Sequence, residues 1–182
     1  MARAVQVKTT TGQFLEGQIV AMDERHLDDV ELFWQPILAE VSQPDPVWKW
    51  DYKLRQSQQQ DRYEAYSLDL DKLSQGLLFI ETQWHRSQQA QRFPLVYVEM
   101  IVSAPWNRRD IEQPTWLTGV GSLLLLFSRQ RSVELGYGGR VALHSLPNVE
   151  GFYHSQGMPD YGPDPEKDGL VYFEYSAFPL QS

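Results

Sequence analysis

The chain has 182 residues, of which 42% are hydrophobic and 22% charged, with no cysteine and a formal net charge of −8. A chain of that length removes roughly 70% of its extended surface from water on folding, so this composition is that of a folded globular domain and not of a disordered segment. The same figures exclude disulfides, thiolate metal sites and a cysteine nucleophile, and the acidic balance argues against a general nucleic-acid binder, which presents a basic face.

In chain order, Met1–Lys8 lacks the apolar stretch of a secretory signal, and Gln13 to Met22 reads as a weak strand. Asp23 to Val41 places Leu27, Val30, Phe33, Trp34, Ile37 and Leu38 at helical spacing behind N-terminal acids, with Pro36 expected to kink or shorten the helix. A second helix opens in Val47–Leu54 and fades into the solvated glutamines Gln56 to Gln60. From Arg62 the period changes to two. Tyr63, Ala65, Ser67 and Asp69 alternate along one strand, Asp71–Gly76 forms a glycine-containing loop, and Leu77 to Trp84 completes a hairpin.

A polar loop, His85 to Phe93, leads to Leu95–Val102, which is apolar on both faces and therefore expected in the middle of a sheet. A long helix follows over about Gly119 to Leu135, with Gly136 where a C-terminal cap belongs. Its run Leu123 to Phe127 is the longest purely apolar stretch, five residues against the ~20 of a membrane span, so a cytoplasmic protein without membrane contact is expected. Arg140 to His144 reads as a short strand, Asn148 to Gln156 as a short helix ended by Gly157, and Leu170 to Ser176 as a last strand. With no repeat and no linker, the prediction is one mixed α/β domain over residues 1–182.

Charge is unevenly spread. Between His85 and Arg140 seven arginines face four acids, a local balance of +3 that leaves −11 for the remainder. An arginine-rich middle in an acidic chain points to an anionic small ligand. Within it, Trp116-Leu-Thr-Gly-Val-Gly-Ser-Leu-Leu124 puts two glycines at the mouth of a helix. There the backbone can approach a phosphate, and the first-turn N–H groups can donate to it. A plain turn explains the same two glycines. The third glycine of a dinucleotide fingerprint and the Gly-Lys-Ser/Thr of a P-loop are both missing. His26, His85, His144 and His154 have no metal-ligand spacing among themselves, so no metal is expected.

The order of a central strand, the glycine turn, a long helix, Val141-Ala-Leu-His144 and then Phe152-Tyr153-x-x-x-Gly157-Met158 resembles the GCN5-related N-acetyltransferase (GNAT) superfamily over roughly Pro94 to Ser176. Ala104-Pro-Trp-Asn-Arg108 and His144-Ser-Leu-Pro147 resemble one bacterial subgroup of it. The resemblance implies a central mixed, mostly antiparallel sheet flanked by helices, with a splayed central strand pair. It implies acetyl-coenzyme A as co-substrate, its pantetheine arm beside Val102 and Ser103 and its pyrophosphate on Leu117, Thr118, Gly119, Val120, Gly121 and Ser122.

Two features depart from the pattern: Trp116 stands where the superfamily carries Gln or Arg, and the loop Ser103 to Leu117 is long. The loop places Arg108 or Arg109 over the cofactor, or leaves both in solvent. For catalysis the resemblance implies Tyr153 as hydrogen-bond partner of the leaving thiolate, against a packing role. Glu99, which shares strand parity with Tyr97, is either the general base or half of an ion pair, because a carboxylate in a central strand is costly without a partner or a task. His144 is the alternative base, or a hydrogen-bonded loop histidine.

The activity so implied is transfer of an acetyl group to a primary amine by direct attack in a ternary complex. The alternative is a catalytically degenerate member that binds coenzyme A or a protein partner without turnover. Acids at Asp23 to Glu31 and Asp160 to Asp168 favour a cationic small-molecule or peptide amine as acceptor; nucleic acid is not expected, and a homodimer stays open.

Overall fold

Strand β1 (Ala2–Thr9) alternates Val5, Val7 and Thr9 inward with exposed Gln6 and Lys8, and pairs along its length with β2 (Phe14–Ala21). The computed structural model describes residues 2–41, 49–90 and 92–179, so the predicted helix start at Val47 and Trp48 lies outside the described residues. Nine strands form one mostly antiparallel sheet in the order β6-β1-β2-β3-β4-β5-β7-β9-β8, which places β5 (Val96–Ser103) in its interior as its apolar faces require. The remaining strands are β3 (Tyr63–Leu70), β4 (Leu73–Glu81), β6 (Leu117–Thr118), β7 (Val141–Ser145), β8 (Asp160–Asp164) and β9 (Leu170–Tyr175).

By internal contacts the chain forms two compact units, Met1–Phe79 with Met100–Leu124, and Ile80–Glu99 with Leu125–Ser182, so that β4 and β5 each run from one into the other.

In the first unit, α1 (Glu24–Asp29) opens on a reciprocal cap. The Asp23 carboxylate accepts from the Arg25 N–H, and His26 Nδ1 accepts from the Asp23 N–H at 2.9 Å. A π-helical turn, Val30–Trp34, joins it to α2 (Gln35–Glu40), with the Gln35 N–H reaching back five residues to the Val30 carbonyl. Pro36 has no N–H to give, and the widened turn just ahead of it is the form the expected kink takes. Helix α3 (Trp50–Gln59) follows; Gln58, Gln59 and Gln60 are exposed as expected, whereas Gln56 is half-buried with its Oε1 inside, so the solvated end is shorter than the sequence implies. These helices bury Trp34, Trp50 and Leu54 against Leu77 and Phe79 of β4, with Met100 and Val102 of β5 packed on the same cluster.

The β3–β4 hairpin differs from expectation. Its loop is the two-residue turn Asp71–Lys72, both at positive φ (49° and 66°), the type that matches strand twist. Gly76 therefore lies inside β4, where a Cβ would meet the Val102 carbonyl oxygen at 2.9 Å and Val120 Cγ1 at 2.6 Å. Packing, not turning, is what this glycine serves.

In the second unit β5 and β7 run parallel, but only Val96–Val141 and Tyr97–Ala142 pair. Strand β7 pairs with β9 over its whole length, so after Tyr97 the two central strands part. Helix α5 (Glu150–Ser155) ends at Gly157 (φ +69°), with the Met158 N–H returning to the Tyr153 carbonyl and the Gly157 N–H to that of His154. Edge strand β8 breaks register with β9 between Asp160 and Pro163, as a proline-bearing edge does.

Candidate active site

In the first unit the glycine turn is built as the sequence reads it. Leu117 and Thr118 form β6, which pairs with Thr9 and Lys8 of β1 and brings the chain to Gly119 at φ +78°. A Cβ at Gly119 would meet nothing within 4 Å, so it is the left-handed backbone that calls for glycine here. Helix α4 (Val120–Glu134) then begins. The Leu123 N–H bonds the Gly119 carbonyl, which leaves the N–H groups of Val120, Gly121 and Ser122 without intrahelical acceptors at the positive end of the helix. Val120 is buried, Gly121 and Ser122 half-buried. The Thr118 hydroxyl donates to the Lys8 carbonyl at 3.3 Å, so it is engaged with β1. Val102 and Ser103, both half-buried, end β5.

The long loop is tied down through Gln75, which is fully buried. Its Oε1 accepts from Trp106 Nε1 at 2.9 Å and Asn107 Nδ2 at 3.0 Å, and its carbonyl accepts from the Ala104 N–H. Asn107 Oδ1 in turn accepts from the Leu117 N–H at 3.0 Å, fastening one end of the loop to the other. Arg108 is half-buried and pairs with Asp110 at 3.3 Å, while Arg109 is exposed with its carbonyl bound by Gln113. Exposed Trp116 and Phe33 line a shallow apolar groove of about 280 Å³ with Leu73 and Trp106, a feature that the sequence reading did not pick out.

The second unit holds the three predicted catalytic side chains. Tyr153 of α5 is 6% exposed and lies against Phe152 and Phe173. Among the described residues its hydroxyl has no hydrogen-bond partner, and burial pushes it up to about 12. Proton donation to a thiolate of ordinary pKa is then uphill by roughly 5 kcal/mol, which leaves hydrogen bonding as the chemistry open to it. Glu99 is exposed. The expectation that a carboxylate there needs a partner to offset burial does not apply, because the side chain is hydrated.

His144 is held at both ring nitrogens: Nδ1 lies 2.7 Å from the Tyr97 hydroxyl and Nε2 2.9 Å from Asp164 Oδ2. Burial pulls it below the ordinary histidine value, against the opposing hydrogen bond and charge of Asp164. Tyr97 and Asp164 are the residues that sequence reasoning missed. The signal for Tyr97 was its shared parity with Glu99. Asp164 was hidden in an acidic run with nothing to distinguish it from its neighbours. Burial raises the Tyr97 hydroxyl far above an ordinary phenol, and the charges of Glu99, Asp164 and Tyr153 add to this, so all three act on one hydroxyl.

No family model and no curated protein sequence matches the chain. Solved structures do. The GNAT domain of PAT from S. lividans is similar over 94% of this chain and 96% of its own, with a TM-score of 0.62 at 15% identity. The PaiA N-acetyltransferase of Thermoplasma acidophilum, solved with coenzyme A, is similar over 89% and 99%, at 0.59 and 12%. The aminoglycoside 6'-N-acetyltransferase AAC(6')-IG of Acinetobacter haemolyticus is similar over 78% and 90%, at 0.56 and 17%. With its mostly antiparallel nine-stranded sheet and its parting central strands, the chain has the fold of the GCN5-related N-acetyltransferases.

Proposed function

We propose that this chain, as a single domain over residues 1–182, transfers an acetyl group from acetyl-coenzyme A to a primary amine by direct attack in a ternary complex. The observation that carries the reading is the parting of β5 from β7 directly after Tyr97–Ala142, which frees the backbone of β5 beyond that point to bind an extended ligand arm. The fold likeness to N-acetyltransferases, one of them solved with coenzyme A, supports that ligand. Val102 and Ser103 take the pantetheine arm. The N–H groups of Val120, Gly121 and Ser122, which have no intrahelical acceptor, take the pyrophosphate behind Leu117, Thr118 and Gly119, with Arg109 as the exposed cation of the long loop.

An acceptor ammonium of pKa ~10.4 costs about 4.6 kcal/mol to deprotonate at pH 7. Glu99, which is exposed, takes that proton and releases it to water in this reading. Tyr153, whose hydroxyl has no partner among the described residues, donates to the developing thiolate. With no cysteine in the chain, direct attack is favoured over an enzyme thioester.

A screen for thiol release from acetyl-coenzyme A over polyamines, amino acids, aminoglycosides and peptide N-termini tests this. Release with at least one amine class is expected. Saturable thermal stabilisation by acetyl-coenzyme A with no release on any acceptor instead assigns a binding protein without turnover.

A further inference from the structure

We propose that Tyr97, His144 and Asp164 form a proton shuttle that holds the attacking amine's proton during acyl transfer and returns it to the departing thiolate. This rests on the acyltransferase reading above. The geometry consists of two short hydrogen bonds on one imidazole, Tyr97 Oη to Nδ1 at 2.7 Å and Nε2 to Asp164 Oδ2 at 2.9 Å. Because the Asp164 carboxylate can only accept, Nε2 carries the hydrogen, and Nδ1 turns its lone pair to the Tyr97 O–H. Tyr97 is the last residue of β5 to pair with β7, at the point where the strands part, two residues before Glu99. Its ring is fixed from the other side by His85, stacked at 3.9 Å and 7° and itself bound to Glu81 at 2.7 Å.

The charged and titratable groups around the pair come from every neighbouring element: Glu99 on β5, His85 and Glu81 at the end of β4, Asp164 on β8, Lys167 just after it, Tyr172 on β9 and Tyr153 on α5. Burial with Lys167 and His85 favours the neutral ring, while Asp164 favours the imidazolium, so the ring starts neutral and its charged form has a counter-ion waiting. The phenol itself is too weak an acid to ionise alone. It can pass a proton only by gaining one as it loses one.

The steps balance. As the amine nitrogen bonds the acetyl carbon, its proton bonds to the Tyr97 oxygen while the Tyr97 O–H proton moves to Nδ1, giving an imidazolium held by Asp164. Collapse of the tetrahedral intermediate breaks the C–S bond, and its electron pair goes to sulfur. The Tyr97 proton then goes to sulfur as Nδ1 returns its proton to Tyr97. The products are the amide and the free thiol, and all three side chains are restored.

The protein as it stands allows a test independent of any acceptor. Nitrogen NMR of the His144 ring is expected to show the Nε2–H tautomer, switching to Nδ1–H in Asp164→Asn, whose amide donates where the carboxylate accepted. An Nδ1–H ring in the unaltered protein overturns the shuttle. With an acceptor from the thiol-release screen, Tyr97→Phe should lose about a hundredfold or more in kcat at unchanged acetyl-coenzyme A Kd. In Asp164→Asn the acid limb of the kcat/KM profile should move to lower pH, because the group that raised His144 is gone. Thiol release by the unaltered protein, with Tyr97→Phe within twofold of it or with the Asp164→Asn acid limb unmoved, overturns the shuttle alone. Should Tyr97→Phe not fold, the Asp164→Asn profile decides. If no amine yields thiol release, the acyltransferase reading falls and the shuttle with it.

Discussion

Two buried side chains show how much the same environment can do with different partners. Tyr153 is buried, and among the described residues its hydroxyl has no hydrogen-bond partner, so Phe would keep its packing. Tyr153→Phe is therefore expected to keep the thermal midpoint and the acetyl-coenzyme A affinity while lowering kcat tenfold or more, as steady-state kinetics will show; unchanged turnover assigns the residue to packing. His26 is fully buried but well partnered. Burial lowers it, yet the hydrogen bond and charge of Asp69, 3.3 Å away, hold it above its ordinary value despite the adjacent Arg25. A raised folded value means that the stabilisation is complete below the unfolded value of ~6.5 and fades as pH rises through the folded one. Asp69 is opposite: burial raises it, but hydrogen bonds from His26, Ser67 and Arg25 leave it lowered, so its share is present above ~3.9 and is lost as pH falls through the lowered value. Denaturant unfolding at pH 6 and pH 8 should therefore show the stability gap between the unaltered protein and His26→Gln narrowing at the higher pH.

At the scale of elements, close packing makes the sharpest prediction. A methyl group at Gly76 would press on the Val102 carbonyl, which is backbone and cannot swing aside, so Gly76→Ala should cost about 1–3 kcal/mol in denaturant unfolding. That role was not legible. A glycine beside Asp71-Lys-Leu-Ser reads as part of a turn, and only the two positive-φ residues Asp71 and Lys72 show that the turn had already closed. Strand β5 and helix α4 were legible because long apolar runs have no other home. The kink near Pro36 was legible as well, since proline always removes a donor. Strands β1, β6 and β8 were not. The first carries only two large apolar residues among Arg3, Gln6 and Lys8, the second is two residues long, and the third holds Gly162 and Pro163 and exists because β9 offers it an edge. Of the candidate site, the glycine turn was legible from two glycines at the mouth of a helix, and Tyr153 came from the resemblance carried by Phe152-Tyr153-x-x-x-Gly157-Met158. The Tyr97–His144–Asp164 contacts join residues 47 and 20 positions apart, a partnership that no local pattern encodes.

Over the whole molecule, the acidic balance is less available to a substrate than the sequence implies. Asp23 caps α1, Asp29 binds Ser74, Asp160 holds the Gly162 N–H and Asp164 holds His144. Exposed Glu24, Asp28, Glu31, Glu166 and Asp168 remain to draw in a cation. If the acceptor is cationic, as the acidic runs lead one to expect, its KM should rise between 0.1 M and 1 M salt as the Debye length falls from ~10 Å to ~3 Å, with the acetyl-coenzyme A response as control. A flat response leaves these acids as solubilising groups. The fastening of the long loop bears on engineering. Gln75 and Asn107 clasp its two ends, and the tip from Arg109 to Gln113 stands outside the clasp with mostly exposed side chains. Because closing a longer loop costs only about 0.6 kcal/mol per doubling of its length, a reporter peptide spliced between Glu112 and Gln113 should leave the melting temperature within a few degrees of the parent. Gln75→Leu, with no added residue, should instead open the loop to proteolysis at its tip.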